Sequence, residues 1–144
     1  MSGRLQERVA IVTGGSSGIG QGACLGLAAE GASVVVVGRT PAHIEETIRQ
    51  IDALPGRAPE QRMGLTLDVT NETDMEEMAR RTVDRFGRID ILVASAGVSL
   101  GTSKTRGGRT SVAQMSMETW DEIMNANLKG MFLADRAVLG TMIR

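Results

Sequence analysis

The run Thr13-Gly14-Gly15-Ser16-Ser17-Gly18-Ile19-Gly20 decides the fold of this chain. Directly before it stands Arg8-Val9-Ala10-Ile11-Val12-Thr13, a short apolar stretch that suits a strand buried on both faces of a parallel sheet. Directly after it Ile19, Ala23 and Leu27 recur at four-residue spacing up to Gly31, which predicts a helix with a glycine stop. A glycine turn in that context reads as a cradle for a dinucleotide's phosphates. Gly14 permits the tight turn, Gly18 lets backbone approach a pyrophosphate, and Gly20 allows close helix packing. Free N–H groups and the helix dipole favour negative charge there. No Gly-Lys-Ser/Thr follows, which disfavours a P-loop nucleotidase.

Outward from this turn, strands and helices alternate. Ser33-Val34-Val35-Val36-Val37 holds four β-branched residues in succession and is the clearest strand. Thr40-Pro41 reads as an N-cap and a first helical proline, with Ile44, Ile48 and Ile51 as the apolar stripe and Leu54-Pro55-Gly56 as the close. Gly64 to Asp68 predicts a third, weaker strand. A third helix starts near Thr70 or Asn71, buries Met75, Met78 or Ala79, Thr82 and Phe86, and stops at Gly87. Ile89 to Val93 supplies a fourth strand. Val98 to Met115 is rich in Gly, Ser, Thr, Lys and Arg and reads as a long surface loop. Ser116 caps a helix through Trp120, Ile123 and Met124, and a last helix begins near Leu128. The order implies right-handed crossovers: an α/β, doubly wound parallel sheet of the Rossmann type, in one domain over residues 1–144. Its expected strand order is 3-2-1-4, with the fourth strand at an open edge.

Composition narrows the function classes. The 144 residues carry a formal net charge of −1, so nothing electrostatic favours nucleic acid or an anionic membrane. Two Phe, one Trp and no Tyr leave few stacking platforms for single-stranded nucleic acid. No apolar run is long enough to span a bilayer, and the polar Met1 to Arg8 does not read as a signal peptide. Cys24 is the one cysteine, expected on a packed helix face as an inert thiol, which suits a reducing cytosol. No His/Cys/carboxylate cluster has metal-ligand spacing, and His43 reads as a surface residue.

Thr13-Gly14-x-x-x-Gly18-Ile19-Gly20 resembles the signature of the short-chain dehydrogenase/reductase family. Gly38-Arg39, Asp68-Val69, Ala94-Ser95-Ala96-Gly97 and Asn127-Leu128-Lys129-Gly130 follow in the family's order, so the likeness covers essentially the whole chain. It implies a cytoplasmic oxidoreductase that uses a nicotinamide cofactor on a small-molecule carbonyl or alcohol, commonly as a homo-oligomer. Implied cofactor contacts are the glycine turn with Ser16 and Ser17, then Asp68 and Val69 at the adenine. Ala94 to Gly97 stand at the nicotinamide ribose. Asp68 also suits a turn-capping role. Ala94-Ser95 replaces the family's two asparagines, whose amides brace the sheet. Asn127 matches the catalytic asparagine that kinks a helix and holds a water in the proton relay; its alternative is an exposed polar position. Lys129 lies in the wrong motif to be the family's catalytic lysine and reads as a surface charge.

Arg39 bears on cofactor choice. An acidic residue here would bind the adenosine ribose and select NAD; an arginine can instead pair with a 2′-phosphate. NADP(H) is therefore expected over NAD(H). Lys104, Arg106 and Arg109 make the long loop basic, for an anionic thioester substrate or simply as a solvated loop.

In this family a tyrosine acts as general acid/base, with a lysine four residues later and a serine upstream. None of these 144 residues is a tyrosine. The expectation is a cofactor-binding half, C-terminally incomplete and inactive alone, with an apolar last helix (Met131, Leu133, Ala134, Ala137, Val138, Thr141) short of cover. A nucleotide-binding module without chemistry of its own is the alternative. A methyltransferase fits poorly, because Gly38-Arg39 stands where it would want an acid.

Overall fold

A computed structural model describes residues 3–99 and 111–144. Four parallel strands, β1 (Val9–Thr13), β2 (Ser33–Gly38), β3 (Arg62–Thr66) and β4 (Ile91–Ala94), form one sheet in the order β3-β2-β1-β4. Around it lie α1 (Gly18–Ala29), α2 (Pro41–Asp52), α3 (Glu72–Phe86), α4 (Met117–Met124) and α5 (Gly130–Met142). The expected topology is met. Lys104, Arg106 and Arg109 lie outside the described residues.

The two central strands are buried along their length, and their alternating side chains feed two cores. Ala10, Val12, Val34 and Val36 face Cys24 and Ala28 of α1 with Ile44 and Ile51 of α2. Ile11, Val35, Val37 and Leu65 face Met75 and Met78 of α3 with Leu133, Ala134 and Val138 of α5. Helices therefore cover both sheet faces, as right-handed crossovers require.

Several details differ from the sequence reading. The buried face of α1 is Gly20, Cys24 and Ala28, one residue on from the predicted stripe, and Ile19 is 87% exposed. This helix approaches the sheet through small residues, so its bulky apolar side chains do not mark the inner face. In α2 the buried set is Ile44, Thr47 and Ile51, with Ile48 only partly covered. β3 begins two residues earlier than expected, with Arg62 at its start paired to Asp52 of α2, and Asp68 lies in the following loop. β4 starts at Ile91 instead of Ile89. In α4 Thr119 is buried and Trp120 half exposed, and in α5 Leu133, Ala134 and Val138, expected to lack cover, are buried in the core with Met75 and Met78 of α3. The helix caps at Asn71 and Ser116 form as expected, each side chain accepting from the backbone N–H three residues on.

At the opposite end of the sheet from the glycine turn, Asp90 ties β1 to β4. Burial would raise its carboxyl, but hydrogen bonds from Arg88, the Val9 N–H and Arg8 outweigh that and hold it at about 2. A carboxylate depressed in this way stabilises the fold above the ordinary aspartate range near 4 and loses that contribution as pH falls towards its folded value. Asp90→Asn should lower stability at neutral pH by on the order of 1 kcal/mol after solvent screening. The gap from wild type, followed by circular-dichroism melts, should close between pH 4 and pH 2; a gap that persists unchanged at pH 2 would contradict this.

Candidate cofactor site

The carboxyl ends of parallel strands gather the loops that follow them, and ligands of such sheets bind in the crevice so formed. Here that crevice is a cleft of about 550 Å³. Gly14, Ser16 and Ser17 of the glycine turn line it, with Gly38 at the end of β2, Arg39 after it, and Asp68 to Thr70 after β3. Ala96 to Val98 after β4 complete it with Glu122, Asn125, Ala126 and Lys129 from the α4–α5 region.

The turn is built from backbone contacts that no side chain would permit. Gly14 has φ +67°, and a Cβ there would lie 2.7 Å from Ala96 Cα. A Cβ at Gly20 would lie 2.0 Å from the Gly14 carbonyl oxygen, so α1 sits directly on the turn. At Gly18, with φ +52°, a Cβ would meet nothing within 4 Å: backbone faces open space where a ligand can approach. Ser17, the N-cap of α1, makes no side-chain cap bond, and the first turn of α1 carries no acid. The positive end of that helix thus has open N–H donors and no internal anion, a suitable seat for phosphate.

Arg39 is exposed at the rim and has no ion pair among the described residues, whereas Arg4, Arg8, Arg62, Arg80 and Arg88 are each paired to a carboxylate. Asp68 Oδ1 accepts from the Thr70 N–H at 2.9 Å and from its hydroxyl at 2.8 Å, and the Asp68 N–H donates to Asp74 at 2.8 Å. Asp68 therefore shapes the turn into α3 while lining the cleft. Val69 packs against the backbone of Gly130, where a Cβ would approach within 2.8 Å.

After β4, the Ser95 N–H donates to the Thr13 carbonyl at 3.1 Å, and the Ala96 N–H meets the buried Thr13 hydroxyl at 3.4 Å. Thr13 thus holds the Ala94-Ser95-Ala96-Gly97 segment from the neighbouring strand. Asn127 holds its far end. Its Oδ1 accepts from the Val98 N–H at 2.7 Å and its Nδ2 donates to the Val98 carbonyl at 2.9 Å. Asn127 sits in a π-helical stretch, Asn125–Lys129, in which the Gly130 N–H reaches back to the Asn125 carbonyl. That stretch joins α4 to α5 without a break, and π-bulges of this kind are frequent at functional sites.

The cleft thus brings together Gly14, Ser16, Ser17, Arg39, Asp68, Val69, Ala96 and Gly97 of the expected set. Thr13, Gly20, Ala94 and Ser95 stand behind it as supports, while Gly18, the exposed Ile19 and Asn127 are not among the residues that line it. Sequence reasoning did not single out Thr70, Glu122, Asn125 or Ala126. Only the neighbouring Asn127 hinted at them, because a π turn leaves no pattern in hydropathy. Lys129, read as a surface charge, is exposed but borders the cleft. Among the described residues no group of His, Cys, Asp or Glu could hold a metal ion, and no helix is long and apolar enough to cross a membrane.

The glycine contacts are open to test. Gly20→Ala should cost several kcal/mol or prevent folding, since backbone cannot yield to a Cβ at 2.0 Å. Gly22→Ala, on the same helix with open space around it, should raise stability by about 1 kcal/mol. Equal thermal midpoints for the two variants would refute this account of the turn.

Known proteins agree with this architecture. A family model described as short chain dehydrogenase matches residues 8–144. The subunit BbsD of (2S)-[(R)-hydroxy(phenyl)methyl]succinyl-CoA dehydrogenase from Thauera aromatica is 36% identical over 139 residues, which cover 96% of this chain and 51% of that protein. The 3-oxoacyl-[acyl-carrier-protein] reductase FabG of Thermotoga maritima is 32% identical over 141 residues, 98% of this chain and 52% of that one. A metagenomic short-chain oxidoreductase solved in complex with NADP superposes with a TM-score of 0.83 at 29% identity, covering 96% of this chain and 58% of its own. The chain spans about half the length of the curated relatives it matches. Turn, strand order and family match coincide, and the chain belongs to the short-chain dehydrogenase family.

Proposed function

We propose that this chain forms the NADP(H)-binding half of an oxidoreductase that interconverts a small-molecule carbonyl and its alcohol. The observation that carries the reading is Arg39, a cation with no ion pair among the described residues, beside a glycine turn with open N–H donors. In this reading Ser16, Ser17 and the α1 N-terminus bind the pyrophosphate, and Arg39 pairs with the 2′-phosphate. Asp68 and Val69 flank the adenine. Ala96 and Gly97, small enough for backbone approach, border the nicotinamide ribose. Asn127 keeps the Val98 backbone at the rim and places the π stretch where a water can be held for proton relay.

When bound, the nicotinamide supplies or accepts the hydride of the reaction. The NADP-bound metagenomic neighbour supports the cofactor assignment, and the two relatives' names, a CoA-thioester dehydrogenase and an acyl-carrier reductase, support carbonyl–alcohol chemistry. In full-length form a homo-oligomer is the companion proposal. Trp120, Leu128, Met131, Phe132 and Leu139 leave an exposed apolar stripe along α4 and α5 of the kind that subunits cover.

Titrations of NADPH and NADH against wild type and Arg39→Ala test the cofactor assignment. Wild type should prefer NADPH, and the variant should lose about tenfold or more in NADPH affinity with little change for NADH. An unchanged preference would sink the role of Arg39.

Turnover is the second measurement. Free tyrosine already needs its pKa lowered to act as a base at neutral pH, and this chain holds no tyrosine. The purified 144 residues should bind NADPH without reducing simple ketones. Robust ketone reduction would overturn the assignment of the acid/base group to a residue outside them.

A further inference from the structure

Thr47 lies on α2, is fully buried, and has no place in the cofactor contacts described above. Its hydroxyl accepts from Gln21 Nε2 of α1 at 3.0 Å. It stands 3.2 Å from two carbonyl oxygens, that of Gly15 in the glycine turn and that of His43 one turn back on its own helix. A hydroxyl has one proton, so it donates to one of these at a time. The Gly15 carbonyl has one other near neighbour on this side, the Cys24 thiol at 3.7 Å, a weak donor. The Gly15 N–H donates to the Val37 carbonyl at 3.0 Å.

Resting on the cofactor reading, we infer that Thr47 is a positioning residue that aims the Ser16 N–H at the bound pyrophosphate. The argument is one of peptide geometry. In a trans peptide the C=O and the following N–H point in opposite directions. The Gly15–Ser16 peptide is trans, so a Gly15 carbonyl drawn inward to Thr47 turns the Ser16 N–H outward, on the side of the cleft that Ser16 lines. The Val37 bond fixes the preceding peptide in the same way. Gly15 has no side chain to resist rotation of these two peptides, so their orientation rests on the groups that bind them.

Gln21 has a defined part in this. By donating to the Thr47 oxygen it occupies a lone pair and leaves the proton directed at the two carbonyls. The bridge also joins α2, which follows directly on Arg39 and Thr40, to the turn that begins α1.

The test uses three probes on wild type, Thr47→Val, Thr47→Ser and Gln21→Met: NADPH, NADH and adenosine 2′-phosphate, which lacks the pyrophosphate. Thr47→Val keeps the shape and removes the hydrogen bond. It should weaken NADPH and NADH alike, by about tenfold, and leave adenosine 2′-phosphate within twofold of wild type. Thr47→Ser should restore the nicotinamide nucleotides, and the partly exposed Gln21→Met should weaken them by a smaller factor in the same pattern. A purely structural role would lower the melting temperature while leaving these affinity ratios alone, and that result overturns the inference. So does a loss shared equally by adenosine 2′-phosphate. If Thr47→Val does not fold, Gln21→Met decides: wild-type affinity in that variant overturns the proposal. Failure of wild type to bind either nicotinamide nucleotide overturns the cofactor reading, and this one with it.

Discussion

Three segments of backbone meet at Gly14, and no side chain fits between them. The Gly14 carbonyl lies where a Cβ of residue 20 would be, and its own missing Cβ would fall among the atoms of Ser95 and Ala96. The exit of β1, the entry of α1 and the exit of β4 are thereby locked at main-chain distance. Once that crossing is fixed, α1 lies close enough to the sheet to bury Cys24 and Ala28. The cleft is the space left on the far side of this crossing. Arg39, Asp68 and Gly97 reach it because parallel strands bring their carboxyl ends to one edge.

The same closeness explains which parts of the fold could be read from the sequence and which could not. A run of valines buried on both faces is unambiguous, and so is a glycine turn between strand and helix. Strand order followed from them. The inner face of α1 did not, because a helix that must approach within backbone distance selects Gly20, Cys24 and Ala28, while hydropathy is dominated by Ile19 and Leu27 beside them. β3 was misplaced for a related reason. It is an edge strand, its first residue is an arginine held by Asp52, and apolar patterning has little to act on there.

Among the residues that line the cleft, those of the turn, Arg39 and the acidic Asp68 stand out in the sequence through local chemistry. What pairs across the chain does not. Asn127 stands out in sequence as an asparagine within a helix, yet nothing in the sequence says that its amide clasps Val98, 29 residues earlier. Nor does it say that the helix widens there. Thr13 is a similar case. Read as the last residue of a strand, it proves to hold the segment after β4 through its carbonyl and hydroxyl, in a chain that lacks the asparagine pair expected at that place. Such contacts depend on register between elements, which is a property of the assembled sheet.

Cys24 gains a meaning from its place behind the turn. It is fully buried against the backbone of Gly15, and burial pushes its thiol up to about 12, so the native state holds almost no thiolate. The packing of α1 on the sheet that forms the glycine turn therefore also keeps this thiol protonated and shielded from solvent.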